Sequence, residues 1–173
     1  MLKILLLTGV PGVGKTTVLR KVAAGLPDSR LAGFYTEEIR SGGERRGFRM
    51  VCFDGREGTM ARTEFPGPHR VGKYGVDVAV IDALAASSLK LEQHADVYLV
   101  DEIGKMECLS QQFVAAIGRV LESGKPVVAT VALHGEGLID EVKRRPGIQI
   151  WQVTRENRDR LPDDILAWLK KPQ

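Results

Sequence analysis

The 173-residue sequence contains only two cysteines, Cys52 and Cys108, and they form no Cys-x-x-Cys pair. They suggest no disulfide framework, so a reducing compartment is the simpler inference. Long apolar runs are also missing, since no stretch approaches the ~20 residues that cross a bilayer. The apolar run Ile4-Leu5-Leu6-Leu7 is too short for a signal peptide, and no small-residue cleavage site follows it. We therefore expect a cytoplasmic protein without a membrane segment.

An excess of one charge is also missing. The chain has 25 Lys and Arg against 22 Asp and Glu, a formal net charge of +3. This small excess suits a protein that binds phosphate groups but does not by itself argue for nucleic acid. The sequence also lacks an RNA-binding motif of interleaved aromatic and basic residues. Nucleic acid therefore stays open as a partner, but no feature of the sequence supports it.

The overall composition is that of an ordinary globular domain, with 43% apolar and 27% charged residues. No internal repeat, low-complexity tract or long linker divides the chain. A chain of this length can bury a core without disulfides or metals. We expect one domain over residues 1–173, and we expect it to be a monomer.

The strongest chemical signal is the segment Gly9-Val10-Pro11-Gly12-Val13-Gly14-Lys15-Thr16-Thr17. It matches G-x-x-x-x-G-K-[ST], in which the glycines let successive backbone N–H groups point inward and bind phosphate. The helix that follows adds the positive end of its dipole. Lys15 is a catalytic candidate expected against the β- and γ-phosphates, and the Thr16 hydroxyl is expected to ligate Mg²⁺. A glycine-rich turn with a chance lysine is the alternative, expected in roughly one chain in a hundred of this length.

The second chemical signal is Val97-Tyr98-Leu99-Val100-Asp101-Glu102, an apolar run typical of a buried parallel strand that ends in two acids. The carboxyl end of such a strand lies at the edge where open α/β sheets bind ligands. We predict that Asp101 holds Mg²⁺, often through water. Glu102 is placed to orient and deprotonate the water that attacks the γ-phosphorus. Many strands end in acids, so this signal is strong only in combination with the phosphate loop.

The rest of the chain predicts an α/β domain with strands and helices in alternation. We expect a helix directly after the loop, further helices over 77–89, 110–122 and 138–144, a last helix opened by Pro162, and strands over 127–131 and 148–153. Residues 33–62 predict a small antiparallel β-meander inserted in the domain, and residues 64–75 predict a loop. Thr130 is either a sensor of the γ-phosphate or simply a polar strand end.

Six arginines lie in the predicted meander. A solvated strand face is one interpretation; an arginine that reaches the phosphates, or a patch that meets a polyanion, is the other. The six are Arg40, Arg45, Arg46, Arg49, Arg56 and Arg62.

With these motifs the chain resembles the small stand-alone P-loop nucleoside-triphosphatases, the family that includes the cancer-related nucleoside-triphosphatase. The resemblance covers nearly the whole chain. It implies a RecA-like sheet and Mg²⁺-dependent hydrolysis of several nucleoside triphosphates to the diphosphate and phosphate. It also assigns Val97 to Gly104, including Ile103, to nucleotide binding. The matching segments are Gly9 to Thr17, Gly33 to Arg40, Val71 to Tyr74, Asp101 to Glu107 and Thr154 to Arg158.

Three functions compete at this stage. The leading one is a nucleoside-triphosphate hydrolase, because Glu102 is placed to activate water. A small P-loop kinase that transfers the γ-phosphate to a nucleotide or polynucleotide end is the alternative, and the meander could supply its lid. A nucleotide-dependent switch or RNA-binding module is the weakest. Base selectivity should be low, because the guanine-reading Asn/Thr-Lys-x-Asp pattern is absent; Thr154 to Arg158 is a candidate base pocket, with loop capping as the alternative.

Overall fold

In the computed structural model, which describes residues 2–172, nine strands form a single mixed sheet. In chain order the strands are Ile4–Thr8 (β1), Leu31–Ser41 (β2), Glu44–Cys52 (β3), Glu57–Arg62 (β4), Arg70–Val71 (β5), Tyr74–Val76 (β6), Val97–Ile103 (β7), Val127–Val131 (β8) and Gln149–Gln152 (β9). Across the sheet the order is β5-β6-β4-β3-β2-β7-β8-β1-β9, so the strand that leads into the phosphate loop, β1, lies inside the sheet.

The half of the sheet from β2 to β9 is parallel, with each strand hydrogen-bonded in parallel to the next. Parallel sheets are covered by helices on both faces, which explains why β1, β7 and β8 are nearly continuous apolar runs. Because these strands point the same way, the carboxyl ends of β1, β7 and β8 meet at one edge. The predicted α/β fold, a mostly parallel sheet with a small antiparallel meander, is confirmed.

Five α-helices and a 3₁₀ turn connect the described strands. The starts predicted for the helices Val78–Ser88 (α2) and Gln111–Glu122 (α3) are confirmed, because Asp77 accepts a hydrogen bond from the Val80 N–H and Ser110 accepts one from the Phe113 N–H. Among residues 2–172 no helix is both long and apolar enough to cross a bilayer. The helices are Lys15–Ala24 (α1), Val78–Ser88 (α2), Gln111–Glu122 (α3), Leu138–Arg144 (α4) and Leu161–Lys170 (α5), and the 3₁₀ turn is Glu107–Leu109.

Two apolar cores lie on the two faces of the sheet. Side chains alternate along a strand, so Ile4 and Leu6 of β1 belong to one core and Leu5 and Leu7 to the other. Helices α2, α3 and α4 cover the first core, and α1 and α5 cover the second. The helix that begins at the phosphate loop is therefore packed against α5, the last helix of the chain.

Strand β2 belongs to both halves of the sheet. Its first residues, Leu31 to Phe34, pair in parallel with β7, and residues 34–41 pair antiparallel with β3. The β2–β3 turn is Gly42-Gly43 with φ of 58° and 80°, the positive values that a two-residue type I′ hairpin requires. Antiparallel pairing then continues through β4 to β6. The loop predicted over residues 64–75 is thus partly wrong, because strands of two and three residues are too short to show an alternating pattern.

Gly33 generates the first prediction, because it lies where β2 passes β7 most closely. Its φ is +103°, and a Cβ placed there would lie 1.9 Å from the Leu99 carbonyl oxygen. Gly33→Ala should lower the free energy of unfolding by roughly 3 kcal/mol or more, measured by urea denaturation. The control is Gly118→Ala in α3, where no atom lies within 4 Å; helix propensity alone should make it neutral or stabilising. Equal losses in both variants would contradict the close approach.

Candidate active site

The phosphate loop joins a buried strand to the start of α1. The side chains of β1 are almost completely buried, and β1 is paired on both sides, so its end is fixed in position. After it, Gly12 and Gly14 have φ of +77° and +112°, values that a residue with a Cβ rarely adopts. Gly9 is needed for space, since a Cβ there would lie 2.7 Å from the Val153 carbonyl oxygen. The glycines of the motif therefore have separate structural reasons.

Positive charge is concentrated where this loop meets α1. Lys15 is the first residue of the helix, and its Nζ donates to the carbonyl oxygens of Gly9 at 2.9 Å and Val10 at 3.3 Å. The first turn of α1 carries no acidic side chain that would neutralise the helix dipole. Thr16 is half-buried and Thr17 is exposed in the same turn. The ammonium group and the helix end can thus act together on an anion held by the loop.

Asp101 is a completely buried carboxylate near the end of β7. Its Oδ2 accepts hydrogen bonds from the Thr36 N–H at 3.1 Å and the Thr36 hydroxyl at 3.0 Å, and its Oδ1 accepts one from the Thr130 hydroxyl at 2.8 Å. Thr36 is on β2 and Thr130 is on β8, so the two strands that flank β7 both hold this carboxylate. A buried charge needs such donors, because burial without them costs several kcal/mol.

The few oxygen ligands that Asp101 and Thr16 offer fit a magnesium ion better than a metal whose ligands all come from the protein. Among residues 2–172, no group of three or more His, Cys, Asp or Glu side chains could enclose a metal ion. Mg²⁺ is usually held by one or two protein oxygens and takes its other ligands from phosphates and water. A carboxylate oxygen of Asp101 and the hydroxyl of Thr16 are hard oxygen donors of that kind.

Glu102 and Glu107 form a pair of carboxylates on either side of Gly104. A Cβ at Gly104 would lie 3.0 Å from Glu102 Oε1 and 2.9 Å from Glu107 Oε2, so any larger residue there would displace one of the two carboxylates. Glu102 is half-buried at the end of β7, whereas Glu107, in the 3₁₀ turn, is buried. Sequence reasoning selected Glu102 and missed Glu107, whose only signal was its place in the Asp101 to Glu107 stretch.

Burial and like charge both act on these acids. Burial raises the pKa of Glu102, the Asp101 carboxylate raises it further, and the Lys15 ammonium lowers it. Burial raises the pKa of Glu107 well above its usual value, and the charges of Glu102 and Asp101 add to this effect. Lys15 is thus close enough to act electrostatically on Glu102, which links the phosphate loop to the end of β7.

The other residues predicted on this strand have a different setting. The side chains of Val97, Tyr98, Leu99, Val100 and Ile103 are buried in the cores. Only Asp101 and Glu102 in β7 present carboxylates near the carboxyl edge of the sheet. Nucleotide binding by the apolar positions stays a prediction, and their packing explains how the two acids are held in place.

The segment after β9 also contacts the phosphate loop, and β9 lies on the opposite side of β1 from β8 and β7. Thr154 and Asn157 exchange hydrogen bonds: the Thr154 N–H donates to Asn157 Oδ1 at 2.8 Å, and the Asn157 N–H donates to Thr154 Oγ1 at 3.2 Å. Arg158 Nη1 then donates to the Val13 carbonyl oxygen at 3.1 Å. Loop capping thus accounts for two of these residues, while Arg158 brings a second cation to the loop. The base pocket expected at Thr154 to Arg158 stays a prediction.

The six arginines of the meander are all paired with acids of the meander or of the turn that directly follows it. These pairs favour the interpretation of a solvated, self-neutralised strand face over a patch that meets a polyanion, and exposed pairs of this kind contribute little stability. The pairs are Arg40–Glu38, Arg45–Glu38, Arg46–Glu44, Arg49–Glu37, Arg49–Glu57, Arg56–Asp54 and Arg62–Glu64.

Comparisons with known proteins show the family to which the chain belongs. A family model described as NTPase matches residues 4–166. The chain belongs to this NTPase family. The nucleoside-triphosphatase THEP1 of Thermotoga sp. (strain RQ2) is 41% identical over 167 residues, which cover 96% of this chain and 95% of that protein. The cancer-related nucleoside-triphosphatase of Homo sapiens is 37% identical over 177 residues, with 93% of each chain covered.

Solved structures of the NTPase family share the fold. The crystal structure of THEP1 from the hyperthermophile Aquifex aeolicus matches with a TM-score of 0.87 and 35% identity, and covers 96% of this chain and 99% of that one. Because the match extends over nearly the whole length of both chains, it includes most of the meander as well as the parallel sheet. The P-loop family fold expected from the sequence is confirmed.

Glu107 generates a prediction about pH. Its pKa is higher in the folded protein than in the unfolded chain, so its contribution to stability is present below the unfolded pKa and is lost as pH rises through the folded pKa. Glu107→Gln, a neutral isostere, should therefore gain stability over the wild type as pH rises from acidic to alkaline values, measured by urea denaturation at each pH. The exposed Glu92→Gln is the control. A difference in the free energy of unfolding between variant and wild type that stays constant across pH would show that the charge of Glu107 does not destabilise the fold.

Proposed function

We propose that this chain is a Mg²⁺-dependent nucleoside-triphosphatase. It would hydrolyse ATP, GTP and other nucleoside triphosphates to the diphosphate and phosphate with low base selectivity. Membership of the NTPase family and the names of the relatives support the reaction. The absence of a disulfide framework from the sequence supports a cytoplasmic location, and we expect the active form to be a monomer.

One contrast between two adjacent carboxylates supports hydrolysis most directly. Asp101 is held by three hydrogen bonds from two strands. Glu102 is acted on by burial and by the charges of Asp101 and Lys15, and no hydrogen bond from residues 2–172 reaches its carboxylate. A carboxylate without a structural partner, next to the cation of a phosphate loop, is suited to bind and deprotonate a water molecule.

The residues of the site divide the reaction as follows. Backbone N–H groups of the loop, from residues 9–14 other than Pro11, and the Lys15 ammonium bind the β- and γ-phosphates. Thr16 and Asp101 would hold Mg²⁺, which when bound supplies positive charge against the phosphate oxygens. Glu102 orients a water molecule and accepts its proton as the water oxygen bonds to the γ-phosphorus. The bond from that phosphorus to the bridging oxygen breaks, and the nucleoside diphosphate leaves with the electron pair.

A kinase has less support from the described residues. Transfer to an acceptor would need a lid whose arginines reach the phosphates, and the meander was the candidate for it. Its six arginines are instead engaged with acids of their own strands and turns. The relatives that match are also named triphosphatases.

The experiment that tests the proposal uses Glu102→Gln. Glutamine keeps the size of the side chain and removes the basic oxygen, so nucleotide affinity should change little. Loss of general-base catalysis should lower kcat by about 10²–10⁴-fold, as measured by single-turnover hydrolysis of ATP. Affinity for a non-hydrolysable ATP analogue, measured by calorimetry, reports binding separately.

Glu92→Gln is the matched control for this experiment, because Glu92 is exposed and precedes the opposite end of β7. It should hydrolyse ATP at the wild-type rate. A wild-type rate in Glu102→Gln would remove Glu102 as the base. If transfer to an added acceptor survived in Glu102→Gln while hydrolysis disappeared, the kinase would replace the hydrolase as the function.

Low base selectivity is tested by steady-state kinetics with ATP, GTP, CTP and UTP. The loop residues and Lys15 are assigned to the phosphates, which all four substrates share, so kcat/KM should vary little among the four. A specificity ratio above about 10³, equivalent to ~4 kcal/mol, would contradict a permissive base pocket. In that case the segment from Thr154 to Arg158 would be the first place to search for base contacts.

A further inference from the structure

Thr36 contributes two of the three hydrogen bonds that reach the buried Asp101 carboxylate. Both its backbone N–H and its hydroxyl donate to the same oxygen, Oδ2, at 3.1 Å and 3.0 Å. The two residues are 65 positions apart in the chain, so this contact exists only because β2 and β7 are neighbours. These two bonds fix the position of Oδ2, and together with the Thr130 bond to Oδ1 they limit the rotation of the carboxylate.

Thr36 lies on β2 just beyond the residues that pair with β7. Phe34 is the last residue of β2 that pairs with β7, at Val100, and Thr36 already pairs with Met50 of β3. Beyond Phe34 the backbone of β2 is therefore free of the β7 ladder, and the Thr36 N–H turns to a side chain. The ladder ends one residue before Asp101, which leaves the carboxylate as the acceptor for this N–H.

The hydrogen-bonding capacity of the carboxylate shows what is left over. An ionised carboxylate has about four acceptor sites, two on each oxygen. Thr36 occupies both sites on Oδ2, and the Thr130 hydroxyl occupies one site on Oδ1. One acceptor site remains, and it is on Oδ1.

We propose that Thr36 is a positioning residue for the metal site: by holding Oδ2 of Asp101, it leaves a single site on Oδ1 for Mg²⁺ or a water molecule bound to it. This inference rests on the proposed function, because it takes Asp101 to be the residue that holds the metal. It adds a role for the antiparallel part of the sheet, since β2 carries Thr36 and extends into the meander.

A purely structural role for Thr36 makes a different prediction. If the hydroxyl only satisfies a buried charge, its removal lowers the stability of the fold and leaves the response to Mg²⁺ unchanged. If it positions Asp101, its removal lets the carboxylate rotate, and the response to Mg²⁺ weakens even in a protein that remains folded. The Mg²⁺ dependence of nucleotide binding therefore separates the two roles.

The test compares Thr36→Val with Thr36→Ser. Valine keeps the shape of threonine and removes the hydroxyl, while serine restores the hydroxyl. Binding of a non-hydrolysable ATP analogue is measured by calorimetry over a series of Mg²⁺ concentrations, so no hydrolysis is needed. Thr36→Val should need a roughly three- to tenfold higher Mg²⁺ concentration for half-maximal enhancement of binding, because hydrogen bonds to charged groups are strong. Thr36→Ser should return to the wild-type value.

Thr59→Val is the matched control, because Thr59 lies on β4 of the same meander and its hydroxyl does not bond to Asp101. It should bind the analogue with the Mg²⁺ dependence of the wild type. If Thr36→Val fails to fold, Thr36→Ala removes the same hydroxyl with less crowding and carries the same expectation.

The outcomes separate this inference from the proposed function. A folded Thr36→Val with the Mg²⁺ dependence of the wild type would overturn the positioning role and leave the proposed hydrolase intact. A wild-type protein whose analogue binding ignores Mg²⁺ would overturn the metal role of Asp101, and that of Thr36 with it. A weaker Mg²⁺ response in Thr36→Val, together with a wild-type response in Thr36→Ser, would support the positioning role of Thr36.

Discussion

The Asp101 carboxylate is buried near the carboxyl edge of the sheet, and side chains of both neighbouring strands are directed to it. A charge in such a place persists only where donors surround it. The donors come from the two strands that flank β7, through Thr36 and Thr130. The site and the sheet therefore depend on each other: the strand order brings the donors together, and the donors keep the carboxylate ready to act at the carboxyl edge.

Negative charge is in excess around Asp101, and this excess favours the binding of a cation. Three carboxylates, Asp101, Glu102 and Glu107, lie close enough to affect one another, and burial makes each additional negative charge more costly. The nearby cation that acts on Glu102 is Lys15, at the start of α1. A cation with phosphate ligands would relieve the repulsion among the acids, which is a physical reason for magnesium and nucleotide to bind together.

Features that depend on local sequence could be predicted. The phosphate loop is visible because the left-handed backbone at Gly12 and Gly14 requires glycine at fixed spacing. The starts of α2 and α3 were visible because Asp77 and Ser110 cap their helices through their own side chains. Asp101 and Glu102 were found because a buried strand that ends in acids is also a local pattern.

Features that depend on distant parts of the chain could not be predicted. Thr36 meets Asp101 across 65 positions and Arg158 meets Val13 across 145, and neither side chain has a local signature of its partner. Glu107 is a charged residue of the kind that normally lies at the surface, so its sequence gives no sign that it is buried in the 3₁₀ turn. The strands β5 and β6 were missed because two or three residues carry no measurable alternation.

The central claim is that water attacks the γ-phosphorus at this site, and isotope labelling tests it most directly. The purified protein would hydrolyse ATP with Mg²⁺ in water labelled with heavy oxygen, and both products would be analysed by mass spectrometry. The account predicts the label in the released phosphate and none in ADP, at a rate that added nucleotide or polynucleotide acceptors do not change. Label in ADP, or phosphate transferred to an acceptor in place of release, would contradict it.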